Sequence, residues 1–410
     1  MTGEAGGFTT GRTAADNPSR IRVAVLGFGD FSHELVLALQ RLGAEVIVLG
    51  RGIEAPIADR LVVVDLADAD ELAAALRWLQ PHRVVVAADT VSDAALADRA
   101  GVEVVPTVRA AQLTADPEAL RRLAADELGL PTPPFFSAGS VEELRAVAHR
   151  AGFPMVVKPA VGGLADGRSV MVRDSDIEPA WQRAMSASSA ARVVAEMPVE
   201  FDGEVTVLAG CRRDGAGGPA VNLCAPIGRR SVEHANGQLS VEVWQPYPMS
   251  AVALESATSI AARLAAVLGG CGMFGVDLLV HGDDVMFTGA TLRPDEAALL
   301  TMRTQRLSFF ELQARLILGL AFDGLLVSPG AARLIYARRA ANPDSDVVDP
   351  DSRSVLAEAL SVPESDVLIF RGDADRPRQR LGMAVATGPD VTVARNRAEQ
   401  VAAQLGRLWP

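Results

Sequence analysis

The chain has 410 residues, 49 % of them hydrophobic and 22 % charged, with a formal net charge of −12. That length can fold into two or three domains with proper cores, and that composition excludes general disorder. The acidic balance, unrelieved by any Lys/Arg run, excludes nonspecific nucleic-acid binding.

Cys211, Cys224 and Cys271 lack CxxC spacing, which argues against a zinc site or disulfide framework and for buried thiols in a reducing compartment. The start, MTGEAGGFTTGRTAADNPSR, has no apolar h-region, and no stretch of about 18 consecutive apolar residues occurs. A cytoplasmic protein without membrane spans is expected.

Residues 1–20 read as a disordered tail, rich in Gly, Thr and Ala without periodicity. From Ile21 the chain alternates. RVAVLGFGD is a buried strand entering a glycine turn, HELVLALQRLG a helix, AEVIVLG and LVVVDL strands, DELAAALRWLQ a helix and VVVAA a strand. ALADRAG and VEVVP close this pattern, which predicts a Rossmann-like parallel sheet domain over residues 21–113. PEALRRLAADELG reads as one helix, followed by the rigid joint PTPPFF. Residues 114–327 then read as a two-lobed α+β domain with a mobile lid lobe over about 134–208. In it, PMVVKPA and RSVMVRD form a hairpin, and ARVVAEMPV, EVTVLAG and AVNLCAP are strands. A long helix over 253–268 precedes a second hairpin, FGVDLLVHGDDVMFTGA, turning at Gly282–Asp283, and then the helix SFFELQARLILGL. Residues 328–410 read as a small β-rich C-terminal domain with a last helix, VARNRAEQVAAQLGRL.

Two stretches carry chemistry. GFGDFSHEL after a strand lacks the third glycine of a dinucleotide fingerprint, and VLGR lacks the ribose-binding acid. A nicotinamide cofactor is therefore not expected; the turn reads as an anion-friendly helix start with Asp30 as its polar group. GFPMVVKPAVGGLADGRS instead places Lys158 at the end of an apolar strand before a glycine-rich turn, with Asp277 on a distant strand. Those are the parts needed to hold ATP between two sheets: a lysine for phosphate oxygens, backbone N–H groups over them, and a carboxylate for Mg²⁺.

The chain resembles the ATP-grasp enzymes, and among them the formate-dependent phosphoribosylglycinamide formyltransferases. The likeness runs through LGFGD, QRLGAEVIVLGR, RRLAADELGLPT, GFPMVVKP, FDGEVTVL, CAPIGRR, WQPYPMS, LGGCGMFGVDLLVHGDDVMF, LRP, LGLA and RLGMAVAT, in family order from about Ile21 to the C-terminus. It implies an α/β ATP-grasp architecture and a homodimer. The implied reaction is formyl transfer from formate to N1-(5-phosphoribosyl)glycinamide through formyl phosphate, in purine synthesis. It implies ATP contacts at Lys158, at the loop Gly163, Leu164, Ala165, Asp166, Gly167 and Arg168, at the hinge Glu196, Met197, Pro198 and Val199, and at Glu204. Lys158 and Arg293 become the catalytic cations, Asp277 the magnesium ligand, and Asp30, Phe31, Glu296 and Arg380 the substrate contacts.

The chain departs from the family pattern at Pro117, Asp166 and Gly289, where an arginine, a lysine and the second metal carboxylate are expected. On the substrate side Ala87, Gly372 and Gln379 replace an acid, a lysine and an arginine, with Arg371, Arg376 and Arg378 nearby. Two alternatives therefore stand beside formyl transfer: an ATP-grasp carboxylate–amine ligase acting on other substrates, and a catalytically impaired nucleotide-binding paralogue.

Overall fold

The computed structural model describes residues 10–11, 20–51, 55–88, 91–97, 102–160, 167–186, 192–213, 218–233, 239–337, 352–370 and 379–409. Its first layer is a six-stranded sheet of β1 (Thr10–Gly11), β2 (Arg22–Leu26), β3 (Glu45–Leu49), β4 (Arg60–Val62), β5 (Arg83–Val86) and β6 (Glu103–Val105), in spatial order 1-4-3-2-5-6. β2 to β6 run parallel, and Val23–Leu26 and Val46–Leu49 are fully buried, as expected of strands covered on both faces. The connections run through α1 (Asp30–Arg41), α2 (Ala69–Leu79) and α3 (Asp93–Ala97), and α4 (Val108–Ala115) follows the last strand. Gly27 turns the chain after β2 with φ +93°, and a Cβ there would lie 2.7 Å from that of Ala88, so no other residue fits. One correction concerns the tail. Thr10 and Gly11 pair antiparallel with Val62 and Leu61, because β4 would otherwise leave that edge of the sheet unpaired.

α5 (Pro117–Arg122), capped by the Asp116 carboxylate, runs into a π-helical turn at Leu123–Glu127, so the single helix expected there changes pitch, and its Leu120, Leu123 and Ala124 pack in the core of the body sheet described below. The second layer is the lid, made of β7 (Phe135–Ala138), α6 (Val141–Ala151), β8 (Met155–Pro159), β9 (Ser169–Met171), α7 (Ile177–Ser186) and β10 (Val193–Glu196). The four strands lie in order 7-10-8-9, all antiparallel, over a core that includes Leu144, Met155, Val157, Ile177 and Val193.

The third layer is one nine-stranded sheet. It contains β11 (Gly203–Arg213), β12 (Pro219–Leu223), β13 (Ile227–Glu233), β14 (Leu239–Gln245), β15 (Gly272–His281), β16 (Asp284–Thr291), β17 (Gly330–Tyr336), β18 (Ser365–Ile369) and β19 (Arg380–Thr387). The order is 16-15-11-13-14-17-19-18, with β12 on the free part of β11. The helices are α8 (Ala251–Leu268), α9 (Asp295–Thr304), α10 (Phe309–Ile317), α11 (Ser352–Ala359) and α12 (Val391–Leu405). Two boundaries shift. Residues 203–208, assigned to the lid by sequence, pair with β15 from Val280 back to Gly275 and so belong to the body. The C-terminal strands build no sheet of their own: β17 pairs with β14 along Ser240–Gln245, and the sheet simply continues.

α8 has a mean hydropathy of 1.5 over 18 residues, enough by composition to cross a membrane. Glu255 and Arg263 interrupt it, and its Ala257, Ala261, Leu264 and Leu268 face is buried in the core of the body sheet. It is a core helix.

Polar residues also enter this sheet. Glu242 on β14 is 5 % exposed and accepts from Arg230 and Arg395 at 2.9 Å, with Arg333 at 3.5 Å. Burial alone would push Glu242 upward; the hydrogen bond and charge of Arg395, with Arg333 and Arg230, prevail and hold it below the usual glutamate range. Its contribution is therefore present above that range and is lost as the pH falls through the lowered value. Glu242→Ala is expected to cost about 2–3 kcal/mol at neutral pH. Urea melts should show the gap between parent and variant shrinking in acid; a gap independent of pH would contradict the assignment.

Candidate active site

Lys158 stands on β8 after three buried residues, in register with Val194 of β10, so its side chain leaves an apolar strand next to the hinge. A lysine in such a place needs an anion. Its Nζ lies 2.6 Å from Oε1 of Glu196, the last residue of β10, and the two side chains are 12 % and 16 % exposed. Burial pulls the Lys158 pKa down, Glu196 opposes that, and Arg121 and Arg168 add to the lowering. The same Glu196 oxygen meets Nη1 of Arg121, which is 2 % exposed. The rest of the Arg121 fork donates to the Thr288 carbonyl, from Nε at 3.1 Å and Nη2 at 2.9 Å. Its guanidinium also lies over the Phe135 ring, 5.6 Å from the centroid.

Across the hinge, Asp277 of β15 pairs with Thr206 of β11 on one side and Gly289 of β16 on the other. Thr206 Oγ1 donates to Asp277 Oδ1 at 2.7 Å, and Thr288 Oγ1 to the Asp277 carbonyl at 3.0 Å. Burial raises Asp277 to about 6; Thr206 and Arg229 oppose the rise, while Glu296 and Glu204 add to it. Residues paired across antiparallel strands share a face, so a side chain at 289 would stand beside Asp277. A Cβ built on Gly289 meets nothing within 4 Å. Among the described residues no three His, Cys, Asp or Glu side chains cluster as a metal cage.

Glu204 lies opposite Arg229 on β13, whose Nη1 is 3.9 Å from Glu204 Oε2. Arg229 Nε is buried with no hydrogen-bond partner among the described residues. Glu296 on α9 accepts from the Tyr336 hydroxyl at 2.9 Å. Burial first, and then Glu296, drive that phenol far above its usual range, so it stays a neutral donor. Arg380 pairs with Tyr336 across β17 and β19, its guanidinium 5.5 Å from the Phe370 centroid. Arg293 ties the body to the first layer, donating from Nη1 to the Ala87 carbonyl at 3.0 Å.

Residues 123–310 match the ATP-grasp domain family. The chain is 43 % identical over 400 residues to the formate-dependent phosphoribosylglycinamide formyltransferase of Burkholderia pseudomallei, covering 94 % of this chain and 95 % of that one. The enzyme of the same name from Rhodococcus jostii is 42 % identical over 393 residues, covering 94 % of each chain. The chain belongs to this formyltransferase family. Among solved structures, glycinamide-RNase-transformylase T of Mycobacterium tuberculosis superposes with a TM-score of 0.76 at 46 % identity, over 94 % of this chain and 99 % of that one. Carboxyaminoimidazole ribonucleotide synthase of Aspergillus clavatus, solved with ATP, gives 0.77 at 21 % identity, over 95 % and 99 % of the chains, and speaks for the fold alone.

Within the family frame, the structure gathers the expected residues into two groups. Lys158 and Glu196 meet at the lid side of the hinge, with Arg168 close enough to act on Lys158. Asp277, Glu204 and Glu296 form the body group, with Arg380 beside Tyr336. Gly163, Leu164, Ala165 and Asp166 lie outside the described residues, as do Gly372, Arg371, Arg376 and Arg378.

Several of the expected residues already have partners in the structure. The Glu196 carboxylate is held by Lys158 and Arg121. The Met197 N–H donates to the Pro134 carbonyl at 3.0 Å. The Phe31 ring packs on Phe310 and Phe309, with centroids 5.0 and 5.5 Å away, and Asp30 opens α1. Three residues had no role in the sequence reading: Arg121, Arg229 and Tyr336. RRLAADEL and CAPIGRR held the two arginines, but nothing local marks a buried guanidinium. Tyr336 is distinguished only by its contact with a glutamate 40 positions away.

Proposed function

We propose that the protein catalyses ATP-dependent formyl transfer from formate to N1-(5-phosphoribosyl)glycinamide, in the cytoplasm, as a homodimer serving purine synthesis. The observation that carries this reading is the full-length likeness to relatives of that name, which spans the substrate side as well as the nucleotide side. Formate is a weak electrophile. Its oxygen attacks the γ-phosphorus of ATP, ADP leaves, and formyl phosphate forms. The acceptor amine then attacks the formyl carbon, inorganic phosphate departs and the nitrogen loses a proton. Such transfer depends on positioning and on neutralising phosphate charge. In this reading Lys158 and Arg168 meet the phosphates, Arg293 supports the transferring group, and Glu204 accepts from ribose hydroxyls. Glu196 to Val199 line the adenine, with Asp30, Phe31, Glu296 and Arg380 on the amine substrate.

The residues fit a magnesium ion that takes most of its ligands from phosphate and water, as Mg²⁺ commonly does. Asp277 would hold it, oriented by Thr206. The ion would neutralise charge on the triphosphate.

A second reading, an impaired nucleotide-binding paralogue, is favoured by one observation: Gly289 stands beside Asp277 where a second carboxylate belongs. A third, a ligase for other substrates, is favoured by the sequence changes at Ala87, Gly372 and Gln379. Two measurements separate the readings. Thermal unfolding with ATP and Mg²⁺ should add about 2.7 kcal/mol of stability at 100 times the Kd. ADP release should require both formate and phosphoribosylglycinamide. Stabilisation without turnover favours the paralogue; turnover with other acid–amine pairs alone favours the ligase.

A further inference from the structure

We propose that Arg121 is a positioning residue that frees Lys158 for the nucleotide by keeping Glu196 neutralised when Lys158 leaves it. This rests on the reading above that Lys158 meets ATP. One carboxylate oxygen of Glu196 is shared by two cations, Lys158 and Arg121. The two are held very differently. Arg121 is 2 % exposed, and its Nε and Nη2 are fixed on the Thr288 carbonyl while its plane covers Phe135. Among the described residues Lys158 has only Glu196 as an ion-pair partner of its ammonium, at the end of a flexible four-carbon stem. When a polyanion enters the cleft, Lys158 is therefore the cation that moves.

Its departure would leave a largely buried carboxylate uncompensated, which is costly unless a second cation stays behind. Arg121 is that cation. It also joins the two lobes, because its other anchor, Thr288, lies next to Gly289 and donates to the carbonyl of Asp277. The contacts run without a gap from Lys158 through Glu196, Arg121 and Thr288 to Asp277, setting the lysine of the lid against the carboxylate of the body. The π-helical turn begins two residues after Arg121, and helices with such a local change of pitch are often found at functional positions.

Titration calorimetry of the full-length chain with ATP and Mg²⁺ tests this. Arg121→Met should weaken ATP binding by roughly tenfold or more, because Lys158 is then the sole counter-ion of Glu196. In a Glu196→Gln background the competitor is gone, so, whatever that change itself costs, adding Arg121→Met there should weaken binding by less than about threefold. A merely structural role predicts the same loss in both backgrounds. An Arg121→Met chain that binds like the parent, or an equal loss with and without Glu196→Gln, overturns the proposal. If Arg121→Met fails to fold, Arg121→Lys is read in the same two backgrounds: a loss confined to the chain that keeps Glu196 supports the proposal, and no loss or an equal loss in both overturns it. A parent chain that binds no ATP sinks the functional reading and this proposal with it, whereas parent binding unaffected by Arg121→Met sinks the proposal alone.

Discussion

Lys158→Met is expected to lower formate- and phosphoribosylglycinamide-dependent ADP release by about 10²–10³-fold, the usual loss when a charge-stabilising donor is removed from a phosphoryl-transfer site. The fold should survive. Glu196 keeps Arg121 as its counter-ion, and methionine refills most of the volume left on β8 between Val157 and Pro159. Parent and variant should thus melt within a few degrees of each other while differing in turnover. Turnover within threefold of the parent would show that the triphosphate is neutralised elsewhere, Arg121 and Arg168 being the other cations that act on this point.

The second large effect is a gain. Gly289→Glu together with Asp166→Lys should raise ADP release and lower the Mg²⁺ concentration needed for half-maximal activity by about 10–100-fold, the scale on which ligand and near-ligand changes move metal affinity. There is room for it: a Cβ at 289 touches nothing within 4 Å, and the register sets it beside Asp277. Asp277 alone is a weak anchor, since burial already raises it to about 6 and Thr206 occupies one oxygen. A second carboxylate there adds repulsion until magnesium arrives, so the double variant should be less stable than the parent without the metal and gain more on adding it. A magnesium titration of activity that does not move would mean the ion is not held at this strand pair.

The sequence discloses what is written in local pattern. Buried runs such as RVAVL and EVIVL, separated by helices at regular spacing, give the parallel sheet directly. The GFPMVVKP strand and the hairpin turning at Gly282, which adopts φ +57°, are equally plain. β13 is not legible as a strand because IGRRSVE sets two arginines side by side and lacks apolar alternation, whereas LSVEVWQ of β14 does alternate over residues 239–243 and carries a strand signal that the reading above leaves unused. α9 was missed because DEAALLTMRT is short, begins directly after Pro294 and has no side-chain cap.

The site divides the same way. Lys158, Asp277 and Glu204 sit in motifs whose chemistry is readable from neighbouring residues. Arg121 on Thr288, 167 positions apart, and Tyr336 on Glu296 depend on register between distant strands and helices, which no local pattern contains. The two occupied groups at the hinge, the Glu196 carboxylate and the Met197 N–H, went unseen for the same reason: their partners Arg121 and Pro134 come from the preceding helix and joint.

The unbroken run of strands from β16 to β18 has a consequence for shortened chains. β17 closes the outer side of β14 through residues 330–336, so a chain ending near 327 would keep the nucleotide-side residues yet bare a long backbone edge in the middle of its largest sheet. Open edges of that kind recruit other chains. A truncated protein should therefore self-associate and precipitate rather than persist as a smaller working unit, which makes the last eighty or so residues a solubility element as much as a part of the cleft.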